Sequence, residues 1–417
     1  MLLFSSILLC IITLYGIKVE YDRKSPFVIF FFALILMSVL PTLSIALNFS
    51  ESFFKYETYL EATLFSCLFL LVLIFVRFIT VKIFKVEKIW KNIISINVYT
   101  KTRTRELFIL FVILSLAVVL FFKGLNIKSI SSLMAVNWWD VVNGGFLIIL
   151  ATYLCYISSS ILLSNYLYNE NKKIKIAIYI QVLLFLIFSI FVLKTRSYIL
   201  MFITPLFCYF LYTKKGVEVI KPIIFLFLMF FVFILARAVR HSSDLNDFLE
   251  SDFLEGFEAA SDGAENTLIN GFYYFVQNNN NFSGFENNNT IKRIIFFAFP
   301  GIKPEEFSYI MHSAYYGSNP SDRLSIHPTV FGDAYGNAWW FGAFLYSFFL
   351  GFYISLLELL NKFFDKDSIF RICVFSIICT VSLIFARGAI YNGFMYSLIP
   401  IIVCFVFFIG TKYIKFK

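Results

Sequence analysis

The sequence predicts an all-α polytopic membrane protein, with about eleven transmembrane helices and one long loop on the outer side. Hydrophobic residues make up 60% of the 417 residues and charged residues only 15%, and the mean hydropathy is +0.81. Soluble domains carry about 25% charged residues. Apolar runs of about 18 or more residues also recur from end to end, and each is long enough to cross a hydrocarbon core of ~30 Å as a helix.

The predicted spans are separated by short polar connections, except for one long polar segment. They occupy residues 2–17, 26–48, 59–81, 107–122, 141–167, 176–193, 198–212, 222–239, 339–360, 369–386 and 393–411. The first run lacks a basic start and a small-residue cleavage site, so we expect a retained helix rather than a signal peptide. The chain therefore divides into helices at 1–239, a loop at 240–338, and further helices with a short tail at 339–417.

The distribution of positive charge predicts the orientation of these spans. The odd-numbered connections and the C-terminal tail hold 22 of the 35 lysines and arginines. Positively charged loops are retained in the cytoplasm. We therefore expect the N-terminus and the loop at 240–338 to face outward, and the net charge of +9 to reflect topology rather than binding of nucleic acid.

Several chemistries are disfavoured by what the sequence lacks. All seven cysteines fall inside apolar runs and the long loop has none, which argues against a disulfide framework and a cysteine metal cluster. No P-loop, dinucleotide-binding fingerprint, zinc-protease motif or nucleophile elbow occurs. We predict neither a cofactor nor a metal.

Polar chemistry gathers where the long loop meets the ninth span, between Pro320 and Phe344. His327 precedes a proline, which favours an extended backbone, and Asp333 follows six residues later among glycines. Either side chain is suited to take a proton, and the sequence leaves open which of them is the base.

Four further residues of this stretch are candidates for contacting a substrate. Asn337 is placed to cap the ninth span, whose N-terminus would then attract an anion. The tryptophan pair that begins at Trp339 is typical of the aromatic belt at a membrane surface, with stacking on a sugar as the alternative. The predicted substrate-binding residues are Arg323, Tyr335, Asn337 and Trp339.

Arginines on the outward side form a second candidate group. Short outward connections are depleted of positive charge, so an arginine that remains there needs a reason. A guanidinium presents a planar fork that matches phosphate oxygens, and snorkelling to lipid phosphates is the alternative. The predicted pyrophosphate-binding set is Arg196, Arg237, Arg240 and Arg387.

The topology and the motif HPTVFGDAYGNAWWFG, which begins at His327, resemble the Wzy-type O-antigen polymerases, or oligosaccharide repeat-unit polymerases. The pattern is also similar to the related O-antigen ligases. The resemblance implies a GT-C-like helical fold in the bacterial inner membrane, with its active face in the periplasm. It also implies metal-free transfer between undecaprenyl-pyrophosphate-linked oligosaccharides, with arginines on the pyrophosphate and a base for the acceptor hydroxyl.

The expected function is therefore O-antigen polymerisation by inverting glycosyl transfer. The expected partners are the lipid-linked oligosaccharide, membrane lipids, a chain-length regulator and a flippase. The nearest alternative is an O-antigen ligase that transfers polysaccharide to lipid A–core, which composition cannot separate from a polymerase. A lipid-linked oligosaccharide flippase or exporter is the second alternative, disfavoured because the spans carry almost no acidic residues.

Overall fold

The computed structural model describes most of the chain, and the regular secondary structure of the described part is entirely helical. The described residues are 1–49, 53–91, 104–127, 145–155, 157, 172–191, 193, 197–213, 224, 265–278, 289–299, 301–317, 325–364 and 369–413. The predicted all-α class is confirmed for these residues.

Most described helices of the first half follow the predicted spans, although only part of the span at 141–167 is described. They are α1 (Leu2–Asp22), α2 (Val28–Leu34), α3 (Leu40–Ala46), α4 (Tyr56–Ile83), α5 (Thr104–Gly124), α6 (Phe146–Cys155), α7 (Lys172–Phe191) and α8 (Ser197–Thr213). A π turn at Ile35–Val39 joins α2 to α3 into one apolar segment, directly before Pro41. Since proline has no N–H to donate, a widened turn is a common accommodation at such a position.

The helices of the second half include three within the predicted outer loop. They are α9 (Glu265–Gln277), α10 (Asn289–Ile295), α11 (Phe307–Tyr316), α12 (Thr329–Leu360), α13 (Ile369–Arg387) and α14 (Ile390–Tyr413). The loop is thus partly folded, and its described segments contribute to a packed core.

Five helical segments in the described part of the chain are long and apolar enough to cross a membrane. They are Leu2–Asp22, Val28–Ala46, Tyr56–Ile83, Thr329–Phe363 and Phe370–Arg387, and shorter apolar helices accompany them. This is consistent with a polytopic membrane protein. The predicted span at 222–239 lies outside the described residues apart from residue 224, so the number eleven stays a prediction.

The chain forms two compact units, each assembled from distant parts of the sequence. The first unit comprises Met1–Trp90, Asp262–Leu360 and Val381–Met395. Its centre is an aromatic core in which Phe65 packs edge-on against Tyr335, and Phe69 against Phe331. These contacts join α4 to α12.

The second unit comprises Lys91–Ser261, Asn361–Thr380 and Tyr396–Lys417. Its described helices also pack through aromatic rings, with Phe121 against Phe188 and Phe185 against Phe202. The hydroxyls of Thr204 and Thr380 share a hydrogen bond of 3.3 Å between α8 and α13.

A buried ionic group connects three helices of the first unit and corrects the expectation that the spans carry almost no acidic residues. Arg77 of α4 contacts a carboxylate of Glu20 in α1 and one of Glu358 in α12, each at 2.9 Å. Trp90 and Ser355 complete the hydrogen bonding. The sequence prediction missed this group because α1 continues past residue 17 and carries Glu20 into the bundle.

Candidate functional site

Helix α12 begins well before the predicted ninth span and is broken in its first half. It starts at Thr329, and its backbone leaves the helical region at Ala338 and Trp339. Trp339 has φ 49° and ψ −143°, which is a strained conformation for a residue with a Cβ. Gly342 makes the break possible, because a Cβ there would lie 2.1 Å from the carbonyl oxygen of Ala334.

The turn between α13 and α14 lies directly against the start of α12. Gly388 has φ +94°, and a Cβ on it would lie 2.3 Å from the Thr329 carbonyl oxygen. Thr329 itself has φ 66°, which is a genuine outlier for a β-branched residue. Strain of this kind is concentrated at functional sites and is held by the surrounding packing.

These elements enclose a polar cleft within the first unit, which we call the Asp333 cleft. Its empty volume is about 230 Å³, including solvent at its open side. It is lined by Thr290, Glu306, Phe307, Ser308, His327, Asp333, Gly388, Ala389, Ile390, Tyr391 and Asn392. His327 and Asp333, the two residues predicted as alternatives for the base, therefore line the same cleft.

Hydrogen bonds from described residues fix one carboxylate oxygen of Asp333 more firmly than the other. Its Oδ1 accepts from the Thr290 hydroxyl at 3.2 Å and from the Asn337 side-chain amide at 2.8 Å. Its Oδ2 accepts only the backbone N–H of Ile390, at the long distance of 3.3 Å, within the described residues. One oxygen is thus fixed by two donors, whereas the other retains capacity to accept a proton from a molecule in the cleft.

Asn337 does not cap a helix, and this corrects the prediction. Its Oδ1 accepts the backbone N–H of Thr290 at 3.1 Å, and its amide donates to Asp333. The prediction failed because α12 already begins at Thr329, so Asn337 follows several helical residues instead of preceding the first. Asn337 is fully buried and ties α10 to α12.

His327 is held as a neutral imidazole. Burial lowers its pKa to about 3, and the positive charge of Arg387 acts in the same direction. The Nδ1 atom is buried and has no hydrogen-bond partner in the described part of the chain. A neutral imidazole can hydrogen-bond a substrate, but with so low a pKa it is a weak base at neutral pH.

The cleft also contains a carboxylate that the sequence interpretation overlooked. Glu306 accepts hydrogen bonds from the Ser308 hydroxyl at 2.8 Å and the Asn392 amide at 3.4 Å, both through Oε1. Its Oε2 lies 3.6 Å from a guanidinium nitrogen of Arg293. No motif marks these residues, although an acid pair following a basic residue in an outward loop was visible at Lys303–Glu306.

Two cations lie against Tyr391 at the edge of the cleft. The guanidinium of Arg293 lies 4.6 Å from the ring centroid, and Lys303 donates to the phenol oxygen at 2.9 Å. Cation–π contact and hydrogen bonding thus keep positive charge at the edge of the cleft, where Arg293 lies beside Glu306. The sequence prediction concentrated on outward arginines in short turns and did not single out this pair.

The remaining predicted substrate-binding residues lie elsewhere or outside the described residues. The Tyr335 hydroxyl donates to Glu61 of α4 at 3.0 Å, so it does not line the cleft, and Trp339 is half-exposed at the break in α12. Arg387 is exposed in the turn that carries Gly388. Arg196, Arg237, Arg240 and Arg323 lie outside the described residues, so the four-arginine set remains a prediction.

The donor set of the cleft indicates proton transfer and recognition of hydroxyl groups. In the described part of the chain, no three His, Cys, Asp or Glu side chains come together in a way that could hold a metal ion. The cleft instead combines two carboxylates, a neutral imidazole, an amide and the hydroxyls of Thr290, Ser308 and Tyr391. Neither family models, curated proteins nor solved structures gave a match to the chain.

Proposed function

We propose that this chain is an O-antigen polymerase that joins undecaprenyl-pyrophosphate-linked oligosaccharide repeat units by inverting glycosyl transfer. The observation that carries the proposal is the position of Asp333. It is a buried carboxyl in a polar cleft, with one oxygen fixed by Thr290 and Asn337 and the other facing only a long hydrogen bond. A carboxylate oriented in this way is suited to act as a general base.

Asp333 is the base in the proposed reaction. A hydroxyl oxygen of the acceptor sugar forms a bond to the anomeric carbon of the donor, while the bond from that carbon to the pyrophosphate oxygen breaks. The hydroxyl proton passes to Asp333, and undecaprenyl pyrophosphate leaves with the electron pair of the broken bond. Attack opposite the leaving group inverts the anomeric configuration.

His327 and Arg387 have supporting roles in this proposal. The low pKa of His327 favours the neutral imidazole as a hydrogen-bonding group for the sugar, and leaves the proton transfer to Asp333. Arg387 is exposed at the end of α13, directly before the cleft residue Gly388, and carries the permanent charge that a departing pyrophosphate needs. The predicted Arg196, Arg237 and Arg240 would extend this anion site.

The central test is Asp333→Asn, which keeps the volume of the side chain and removes the base. We expect cells that carry this variant to display single repeats in place of a ladder of chain lengths. Asp22→Asn is the matched control, because Asp22 is exposed at the end of α1 and should leave the ladder unchanged. A normal ladder from Asp333→Asn would refute the proposal, provided that both variants are present in the membrane at equal amounts.

The same cells distinguish a polymerase from an O-antigen ligase. A polymerase variant leaves one repeat attached to the lipid A–core, whereas a ligase variant leaves no O-antigen attached. We expect the first result. Periplasmic orientation of the cleft, in the inner membrane, would be tested by labelling a cysteine introduced at exposed Gly301 from outside the cell.

One observation bears on the flippase alternative, which requires charge inside the bundle. The Arg77 group provides such charge, since Glu20 and Glu358 flank the guanidinium. However, all three side chains are no more than 2% exposed and satisfy one another, as a structural ion pair does. An exporter would move lipid-linked oligosaccharide across vesicles that contain the purified protein, and we expect no such movement.

A further inference from the structure

Glu306 lies in the same cleft as Asp333 but is held by different contacts. Asp333 is bonded to neutral donors on α10 and α12, whereas Glu306 precedes α11 and lies beside the Arg293 cation. Ser308 donates to it at 2.8 Å. The two acids are therefore not equivalent, and among the described residues only Glu306 has a counter-charge at its side.

We infer that Glu306, together with Asn392, binds the acceptor sugar through hydroxyls next to the reacting one. This assignment rests on the proposed function and names the substrate part that this side of the cleft recognises. Glu306 and Asn392 line the cleft, and the hydrogen bond between them is long, at 3.4 Å. A sugar hydroxyl can replace so weak a contact. A carboxylate accepts a hydrogen bond from a hydroxyl, and the side-chain amide both donates and accepts hydrogen bonds.

The chemistry of the cleft favours a polyhydroxylated ligand over a cation. Arg293 and Lys303 already bring positive charge to this edge, through Glu306 and Tyr391 respectively. A cationic ligand would meet that charge, whereas a neutral sugar would not. The described residues also offer no set of three ligating groups for a metal.

Arg293 is the positioning residue for Glu306. Its guanidinium is anchored on both sides, by the Tyr391 ring and by the carbonyl oxygen of Pro304. The anchored fork approaches Oε2 and leaves Oε1 toward Ser308 and Asn392. The carboxylate is thus oriented before a ligand arrives, which lowers the entropic cost of binding.

The test uses the full-length protein and a probe that lacks the pyrophosphate. Lipid-linked repeat units isolated from cells without this protein serve as substrate, and the free oligosaccharide released from them by mild acid serves as the competing ligand. For Glu306→Gln, we expect inhibition to require about 10- to 100-fold more oligosaccharide, because a hydrogen bond to a charged group is lost. Glu305→Gln is the matched control, since that neighbouring side chain is exposed, and should match the wild type.

Ser308→Ala provides a second variant in case Glu306→Gln does not fold. It removes the hydroxyl that orients Oε1 and should weaken inhibition in the same direction by a smaller factor. Equal inhibition of wild type and both variants, or no inhibition of the wild type, overturns the inference. If Asp333→Asn is inactive in the same assay, either of these results refutes only the role assigned to Glu306. If Asp333→Asn is fully active, the proposed function itself is refuted.

Discussion

The Oδ1 of Asp333 accepts a hydrogen bond of 2.8 Å from the side-chain amide of Asn337, one helical turn further along α12. The same Asn337 accepts a hydrogen bond from the backbone N–H of Thr290 and so fixes the start of α10. A single buried amide thus orients the proposed base and holds the segment that lines the cleft beside it. Networks of this kind depend on every member, because each partner left unsatisfied in a buried place costs stability.

Asn337→Ala should therefore impair both folding stability and activity. The Thr290 N–H would lose its partner in a buried position, at a cost of about 1–3 kcal/mol. We also expect transfer to slow by about 10- to 100-fold, because Asp333 would no longer be held in one orientation. Thermal unfolding in detergent and the rate with isolated lipid-linked repeats measure the two effects.

Asn278→Ala is a suitable control for Asn337→Ala. The Asn337 amide donates to the backbone carbonyl of Asp333 at 2.7 Å. Asn278 likewise donates to the carbonyl one turn before it, that of Tyr274, but lies at the end of α9 and does not line the cleft. This variant should keep the wild-type rate. An unaltered rate in Asn337→Ala would contradict the orienting role.

The sequence was sufficient for the helical class and for the region of the site. Apolar run length alone placed α4 and α13 to within a few residues, and polar chemistry at the edge of the ninth span indicated His327 and Asp333. These are local properties. The start of α12 at Thr329 was missed because a proline before it and two glycines after it suggested turns. In the structure, Thr329 packs against Gly388, and the helix starts there.

Residues that meet only in the folded chain could not be found in this way. Glu306 precedes Asp333 by many residues, and its partner Asn392 lies in α14, with three helices between the two in the sequence. The group of Glu20, Arg77 and Glu358 likewise combines three separate spans. No spacing rule links such residues, because tertiary packing alone brings them together.

Arg77→Met should strongly destabilise the first unit. The substitution keeps the apolar stem but leaves Glu20 and Glu358 buried without a cation, which costs about 3–5 kcal/mol. We expect a large fall in the unfolding temperature. Additional Glu20→Gln and Glu358→Gln substitutions should restore part of the loss, since they remove the uncompensated charges.

Arg23→Met is the control for the Arg77 experiment. Arg23 also approaches Glu20, but at 3.6 Å and with 17% of its side chain exposed. Because this contact is longer and involves only one of the two carboxylates that Arg77 binds, Arg23→Met should lower the unfolding temperature less than Arg77→Met does. If Arg23→Met and Arg77→Met lowered stability equally, the buried group would not have the structural role that we assign to it.

Gly388→Ala should disrupt the cleft without changing any polar group. A Cβ at this position would lie 2.3 Å from the Thr329 carbonyl oxygen, and the φ of +94° is unfavourable for alanine. The turn must move away from α12, which displaces the Ile390 N–H from Asp333. We expect at least about a 10-fold loss of rate, because small misplacements of reacting groups are costly.

Gly301→Ala is the matched control for Gly388→Ala. A Cβ on Gly301 would meet nothing within 4 Å, so this variant should retain wild-type rate and stability. The chain-length ladder in cells and the rate with purified protein report on both variants. Wild-type activity of Gly388→Ala would show that close contact between the turn and α12 is not needed.

The depressed pKa of His327 predicts a specific dependence of stability on pH. In the folded protein its pKa is about 3, because of burial and the charge of Arg387, whereas an unfolded histidine titrates near ~6.5. Between these values the unfolded chain binds more protons than the folded chain at this position, so acid favours unfolding. The contribution of the neutral imidazole is fully present above about 6.5 and is lost progressively as the pH falls toward 3.

His327→Gln removes the titrating group while retaining hydrogen-bonding capacity, and it should flatten this dependence. We expect the unfolding temperature of the wild type to fall more steeply than that of His327→Gln between pH 7 and pH 5, a window chosen to lie mostly below the unfolded histidine pKa of ~6.5. Carboxylates elsewhere contribute equally to both proteins, so the difference isolates His327. The pH–rate profiles of the wild type and His327→Gln should also agree near pH 6.5, because a histidine with a pKa of about 3 is already neutral there. A shared slope would contradict the depressed pKa of His327. An activity limb near pH 6.5 that disappears in the variant would return the role of base to His327.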